Sequence, residues 1–405
     1  MKVISKIFIF FIANLLISQK GSAQKNLILV ETKTNSLALQ VNDKKELNMV
    51  YFGEKLSNVR EYDNVMGTYK PTEDYTLMLQ SAYTTAGTRN LTEPAIAVTH
   101  SDGNKSLHLL YESHKQEKID KNVSLVSIVL KDPVYPFWVT LYYKTYFNQD
   151  VVEQWSSIRH TEKKDVVLSK FASANLHLKG NEYWLRQYHG DWAREMRPEE
   201  TKLTHGIKVL DSKLGARANI FQPPLFMVSF DKPATEDNGK VLFGSLSWTG
   251  NFRIDLELDN QDNLKLIAGI NNFQSDYTLK PNEEFTTPVF LYTLSNHGKG
   301  LASRNIHDWA RNYKLVNGKG SRLTLLNNWE ATYFDFNETK LAELIKDTRK
   351  LGVDMFLLDD GWFANKYPRN DDHAGLGDWE VNKKKLPNGI SYLVKEAKAN
   401  DVKFG

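Results

Sequence analysis

The stretch Leu351-Gly352-Val353-Asp354-Met355-Phe356-Leu357-Leu358-Asp359-Asp360-Gly361-Trp362 decides the fold of the C-terminal part of this chain. Gly352 closes a helical pattern, Val353 to Leu358 is apolar except at Asp354, and two carboxylates and a large aromatic follow. An apolar run this short, set against a helix stop, reads as a strand buried on both faces. The preceding helix begins at Asn337 and carries Leu341, Leu344, Ile345 and Leu351 on one face. Leu323 to Leu326 supplies an earlier strand, a second helix carries Ile390, Leu393, Val394 and Ala397, and Val402 to Phe404 opens a third strand. Strand, helix, strand, helix, strand predicts a parallel sheet covered by helices.

Residues 321–405 therefore read as the first two βα units of a (β/α)8 TIM barrel. Two units and part of a strand cannot close a barrel of about 250 residues, nor protect both edges of an open sheet. The chain is expected to be the N-terminal portion of a longer protein. The alternative is a natural domain that ends this way and packs on its neighbour.

Upstream the period changes. Leu301 to Leu315 repeats Ile306, Trp309, Ala310 and Tyr313 at helical spacing, which makes residues 297–320 a helical linker. Residues 24–296 are a succession of short β-branched and aromatic runs separated by Gly, Asn, Asp and Pro clusters. They include Leu27 to Glu31, Leu107 to Tyr111, Val123 to Leu130, Trp138 to Phe147, Lys240 to Ser247 and Phe252 to Leu256. Such spacing predicts a large antiparallel β-sandwich. Phe252, Ile254 and Leu256 alternate with Arg253 and Asp255, as on a half-wet sheet, whereas Val123 to Leu130 is apolar on both faces and reads as a central strand.

Residues 1–23 form a separate object. Lys2 and Lys6 precede an apolar run from Ile7 to Ile17, and Gly21-Ser22-Ala23 offers a cleavage site before Gln24. The run is too short to cross a bilayer and reads as a secretory signal peptide. Losing Lys2, Lys6 and Lys20 takes the formal charge from +3 to zero, leaving no basic excess for nucleic acid or anionic lipid. With no cysteine there is neither a disulfide nor thiol chemistry, and a bacterial periplasmic or secreted protein is expected.

The chemistry gathers at strand ends, where parallel α/β folds bind ligands. Asp359 and Asp360 can accept several hydrogen bonds from vicinal hydroxyls, Gly361 permits a sharp turn, and Trp362 can wall a pocket. This is sugar-binding chemistry; the same residues also fit an Asx turn with Trp362 filling the barrel mouth. Asn327-Asn328-Trp329-Glu330 ends the preceding strand, so Trp329 could pack on an apolar sugar face or belong to the core. Gly375-Leu376-Gly377-Asp378-Trp379, in a long βα loop, is a plausible pocket wall. Asp371, Asp372 and His373 match no metal-ligand motif, and the glycines lack phosphate-loop spacing, so no metal or cofactor is expected. Tyr188 to Glu195, with Trp192, is a polar aromatic patch that the residues alone do not explain.

At these positions the sequence resembles the retaining α-galactosidases of glycoside hydrolase family 36. The resemblance lies in Asn327 to Phe336, Leu357 to Phe363, Gly375 to Gly389, Trp192 to Glu195, Leu210 to Lys213 and Ser247 to Phe252, in the family's order. It implies an N-terminal β-supersandwich, a helical linker and a catalytic (β/α)8 barrel. It also implies that Asp359 and Asp360 bind hydroxyls of a terminal galactose, that Trp329 packs on the sugar, and that Trp192 helps close the pocket. The substrate would be an α-galactoside oligosaccharide or glycan. The nucleophilic and acid/base Asp residues of the family's double displacement would fall after Gly405, so this chain alone is expected to be inactive. At Asn90 to Pro94 the sequence lacks the Asp and Arg that many relatives use to reach a neighbouring subunit, which weakens the expectation of a homo-oligomer. Two further readings stand beside this one: a complete, non-catalytic carbohydrate-binding or assembly module, and a related α-N-acetylgalactosaminidase.

Overall fold

The computed structural model describes residues 27–65 and 80–405; the expected signal peptide lies outside them. The chain divides into two compact units after Val316. No helix among the described residues is long and apolar enough to cross a membrane.

The N-terminal unit is built from antiparallel sheets. Among the described residues, the largest has ten strands. It runs from the edge strand Arg197–Lys202 through Tyr183–His189, Leu225–Phe230, Val241–Leu246, Phe290–Ser295, Val151–His160, Phe137–Tyr146 and Val123–Lys131 to the opposite edge, Leu110–Lys118, and the tenth strand, Glu284–Thr286, pairs with Val151–His160 off this path. A second sheet of six strands centres on Phe252–Leu258, Asn263–Ile270 and Val166–Lys179. A third holds Leu27–Glu31, Asn35–Val41 and Leu47–Glu54. One apolar cluster joins all three, with Leu39, Leu141, Ile158, Val228, Ile254 and Leu266 sealed from solvent. Alternation along each strand sends every second side chain into this core.

Two strands differ from expectation for the same reason. The run expected at Leu107 to Tyr111 forms a strand only from Leu110, which continues through polar residues to Lys118. This edge strand is wet on both faces beyond Tyr111, so hydrophobic pattern does not mark it. Its neighbour, expected to be central, lies second from the edge and buries only alternate residues such as Val126, Ile128 and Leu130.

The connecting helix spans Gly298–Trp309 and widens into a π-helical turn at Ala310–Lys314. Trp309 is buried against Val123, Tyr146, Val151 and Leu291. The helix begins three residues earlier than its periodicity suggests, at Gly298, which takes φ +78° where a Cβ would strike the Glu236 backbone.

The C-terminal unit holds three parallel strands, Leu325–Asn327, Met355–Leu357 and Lys403–Phe404, in that order. Helices Glu338–Lys350 and Ile390–Ala399 connect them. Asn337 caps the first by accepting from the Lys340 N–H at 2.9 Å. Phe336, Leu341, Ile345, Phe356, Leu358, Leu386, Leu393, Ala397 and Val402 form a core separate from that of the sheets. Leu351 and Val394, expected on the apolar faces, are exposed. Leu351 has already left the helix as its C-cap, and Val394 lies at the margin of its stripe.

Candidate functional site

Parallel pairing brings Asn327 and Leu357 into register, so the segments after them share one rim. Asn328, fully buried, ties these segments together: its N–H donates to the Leu357 carbonyl at 3.2 Å and its Oδ1 accepts from the Asp359 N–H at 2.8 Å. The Asn327 Nδ2 donates to Asp359 Oδ2 at 2.5 Å, and its Oδ1 accepts from the Trp329 N–H at 2.8 Å. One asparagine thus links the Asp359 carboxylate to the backbone of Trp329, the two residues that the family resemblance assigns to the sugar. Trp329, half-buried, stands edge-on to Tyr333 and Phe334, with ring centroids 5.4 and 4.9 Å away. Tyr333 holds φ +45°, and its hydroxyl donates to Glu330 at 3.2 Å.

The two adjacent carboxylates have different surroundings. Asp359 accepts from Asn327 Nδ2 and from the Asp360 N–H at 2.7 Å. Asp360 receives both arms of Arg369, Nε at 2.6 Å and Nη2 at 2.7 Å, and also the Gly361 N–H at 2.7 Å. An ionised carboxylate has about four acceptor positions, so Asp359 keeps two open and Asp360 one. The Arg369 hydrogen bonds hold the Asp360 carboxyl below the ordinary carboxylate range, with help from Gly361 and Lys385. Gly361 has φ +89°, and a Cβ there would lie 2.9 Å from the Phe334 ring. Lys385 donates to the Phe334 carbonyl at 2.8 Å, and burial pushes its ammonium down.

The remaining expected residues have contacts of their own. Trp362 is partly buried on the C-terminal core, and its carbonyl accepts from the Asn382 N–H at 2.9 Å. Asp378 uses Oδ2 to accept from the Lys366 and Tyr367 N–H groups at 3.2 and 3.3 Å, shaping the loop. Trp192 belongs to the N-terminal unit, at the hairpin between Tyr183–His189 and Arg197–Lys202, and is 77% exposed. Asp371, Asp372 and His373 cluster within 4.8 Å but are all exposed, with His373 facing both carboxylates as in an ordinary solvated turn.

Arg369, Lys385 and the bridging role of Asn328 were missed by sequence reasoning. An arginine in a polar loop leaves no periodic signal; only the long interval between Asp360 and the next helix marks that loop as more than a connection.

The loop at Asn90 to Pro94 is held by its own sheet. Asn90 and Thr92 bond each other, Lys265 reaches Thr92 and the Glu93 carbonyl, and Lys170 pairs with Glu93 at 2.5 Å.

Residues 45–280 match the glycosyl hydrolase family 36 N-terminal domain, and residues 284–405 match Melibiase. The chain is 31% identical to α-galactosidase Mel36A of Lactobacillus acidophilus over 95% of its own length and 56% of the relative's. It superposes on the α-galactosidase of Lactobacillus brevis with a TM-score of 0.86 at 27% identity, covering 94% of this chain and 54% of the other. A variant of α-galactosidase AgaA from Geobacillus stearothermophilus in complex with raffinose gives a TM-score of 0.85 at 27% identity, covering 94% and 56%. The chain thus spans about half the length of the relatives it matches.

Proposed function

This chain belongs to glycosyl hydrolase family 36, and we propose that it is the N-terminal portion of an exported α-galactosidase that removes terminal, non-reducing α-linked galactose with retention of configuration. The observation that carries this reading is the Asp359–Asp360 pair at the strand end, tied through Asn327 to Trp329. Asp359 retains acceptor capacity for vicinal hydroxyls, and the indole of Trp329, which follows the neighbouring strand on the same rim, suits the apolar face of a pyranose. Raffinose and stachyose in complexes of similar proteins support an oligosaccharide substrate. In this proposal residues 321–405 begin a (β/α)8 barrel, and the nucleophilic and acid/base carboxylates follow Gly405. They would stand about 5 Å apart for double displacement. Asp378 contributes a pocket wall, and the leader at residues 1–23 directs export to the periplasm or medium.

The test is hydrolysis by the full-length protein that carries this chain, followed by proton NMR of the first sugar released. Galactose appearing first as the α-anomer is the expected result. First release of the β-anomer, preference for N-acetylgalactosaminide, or no cleavage of any α-galactoside would overturn the proposal.

A further inference from the structure

Arg369 is 6% exposed, although the residues after it, Asn370 to His373, lie in solvent. Burying a guanidinium is costly unless each face and donor is matched. Here two nitrogens grip both oxygens of Asp360, Nη1 donates to the Ala374 carbonyl at 2.8 Å, and the Phe334 and Phe363 rings lie 5.7 and 5.6 Å from its central carbon. Lys385 donates to the carbonyls of both Phe334 and Arg369, joining the loops after the first two strands. The planar fork fixes the carboxylate plane as well as its charge. Of the two adjacent aspartates, only Asp360 receives this grip.

Resting on the reading of Asp359 and Asp360 as galactose ligands, we propose that Arg369 is a positioning residue for sugar recognition: it holds the Asp360 carboxylate ionised and in one orientation, with its remaining acceptor position presented to a galactose hydroxyl. Asp359 then supplies the adaptable acceptor of the pair and Asp360 the fixed one. The charged groups that share this neighbourhood are Asp359, Lys385 and Asp335, together with Asp371 and Asp372 beside Arg369. Lys385 supports the charge on Asp360 but cannot replace the bidentate grip.

The experiment uses the full-length protein and a nitrophenyl α-galactoside, comparing Arg369→Gln, Arg369→Lys and Asp359→Asn. Loss of a charge-assisted bidentate contact should raise KM roughly ten- to hundredfold in Arg369→Gln. The acid limb of kcat/KM should move to higher pH, because Asp360 then protonates more readily. Arg369→Lys should restore the acid limb but only part of KM, since one ammonium cannot hold both oxygens in plane. Unchanged KM and an unchanged acid limb in folded Arg369→Gln would overturn the proposal. If that variant does not fold, Arg369→Lys with wild-type KM has the same force. Asp359→Asn separates the two levels: wild-type KM there would sink the galactose assignment itself, whereas a raised KM with silent Arg369 variants would sink only the positioning role.

Discussion

In the N-terminal unit the Lys265 side chain is fully buried, its ammonium 2.9 Å from Glu257 and 2.8 Å from the Glu93 carbonyl. In the C-terminal unit Arg369 is nearly as buried and grips Asp360 at 2.6 and 2.7 Å. Both bury a cation against a carboxylate, yet the partners differ. Glu257 also accepts from the Glu93 N–H at 3.0 Å, so its pairing serves to pin a loop on a sheet. Asp360 stands at a rim beside Asp359, with acceptor capacity left over. Buried charge in the large unit is consumed internally; in the small unit it prepares a neighbour to meet a ligand.

The largest effect should come from the sheet core. Phe290 is fully buried and runs nearly parallel to Phe226, with centroids 6.3 Å apart and Gly244 beneath both rings. Phe290→Ala removes a ring that the tightly packed layers cannot replace and should cost about 3–5 kcal/mol. Urea unfolding followed by tryptophan fluorescence measures it. A cost under about 1 kcal/mol would mean that burial is not what holds the large unit together.

Legibility in the sequence follows the same division. The alternation of Phe252, Ile254 and Leu256 and the capped helix after Asn337 are visible because one face of each element must be apolar. The edge strand to Lys118 was invisible beyond Tyr111 because neither face is buried there. In the site, Asp359, Asp360 and Trp329 stood out as unusual residues at a strand end. Nothing in their order distinguishes the twin aspartates, since that difference comes from Arg369, nine residues away in an aperiodic loop. Pattern reveals what a repeating geometry demands and misses a single long-reach contact.

Acid should affect the two units in different pH ranges. His177, opposite Lys265 in the six-stranded sheet, is pushed by burial to about 4 from 6.5. The unfolded chain binds this proton more readily, so the stabilisation is complete above pH 6.5 and is lost as pH falls towards 4. The whole loss is about 3 kcal/mol. Asp360 is depressed instead, so its contribution persists above its ordinary value of 3.8 and is lost only as pH falls below it. Unfolding measured from pH 7 to 4 should therefore slope downward for the wild type and flatten in His177→Gln. An equal slope in that variant would assign the acid sensitivity elsewhere.

The smallest effect on stability, and the most informative about the site, should come from Asn328→Ala. The amide is fully buried and accepts from the Asp359 N–H while Nδ2 donates to Thr332 Oγ1 at 2.9 Å. Alanine leaves the Asp359 N–H unmatched, while the Thr332 hydroxyl keeps its backbone acceptors at residue 328 and Tyr333, and the loss costs about 1–3 kcal/mol. A purely structural amide would lower the unfolding midpoint and leave the folded fraction with native galactoside affinity. Here the bond reaches the backbone of Asp359 itself, so releasing it should loosen that carboxylate relative to Asn327 and Trp329. In the full-length protein KM should rise while the variant remains folded, and Asn328→Asp should recover part of it because the oxygen acceptor survives. A stability loss with unchanged KM would place Asn328 with Lys265, among polar groups that serve only the fold.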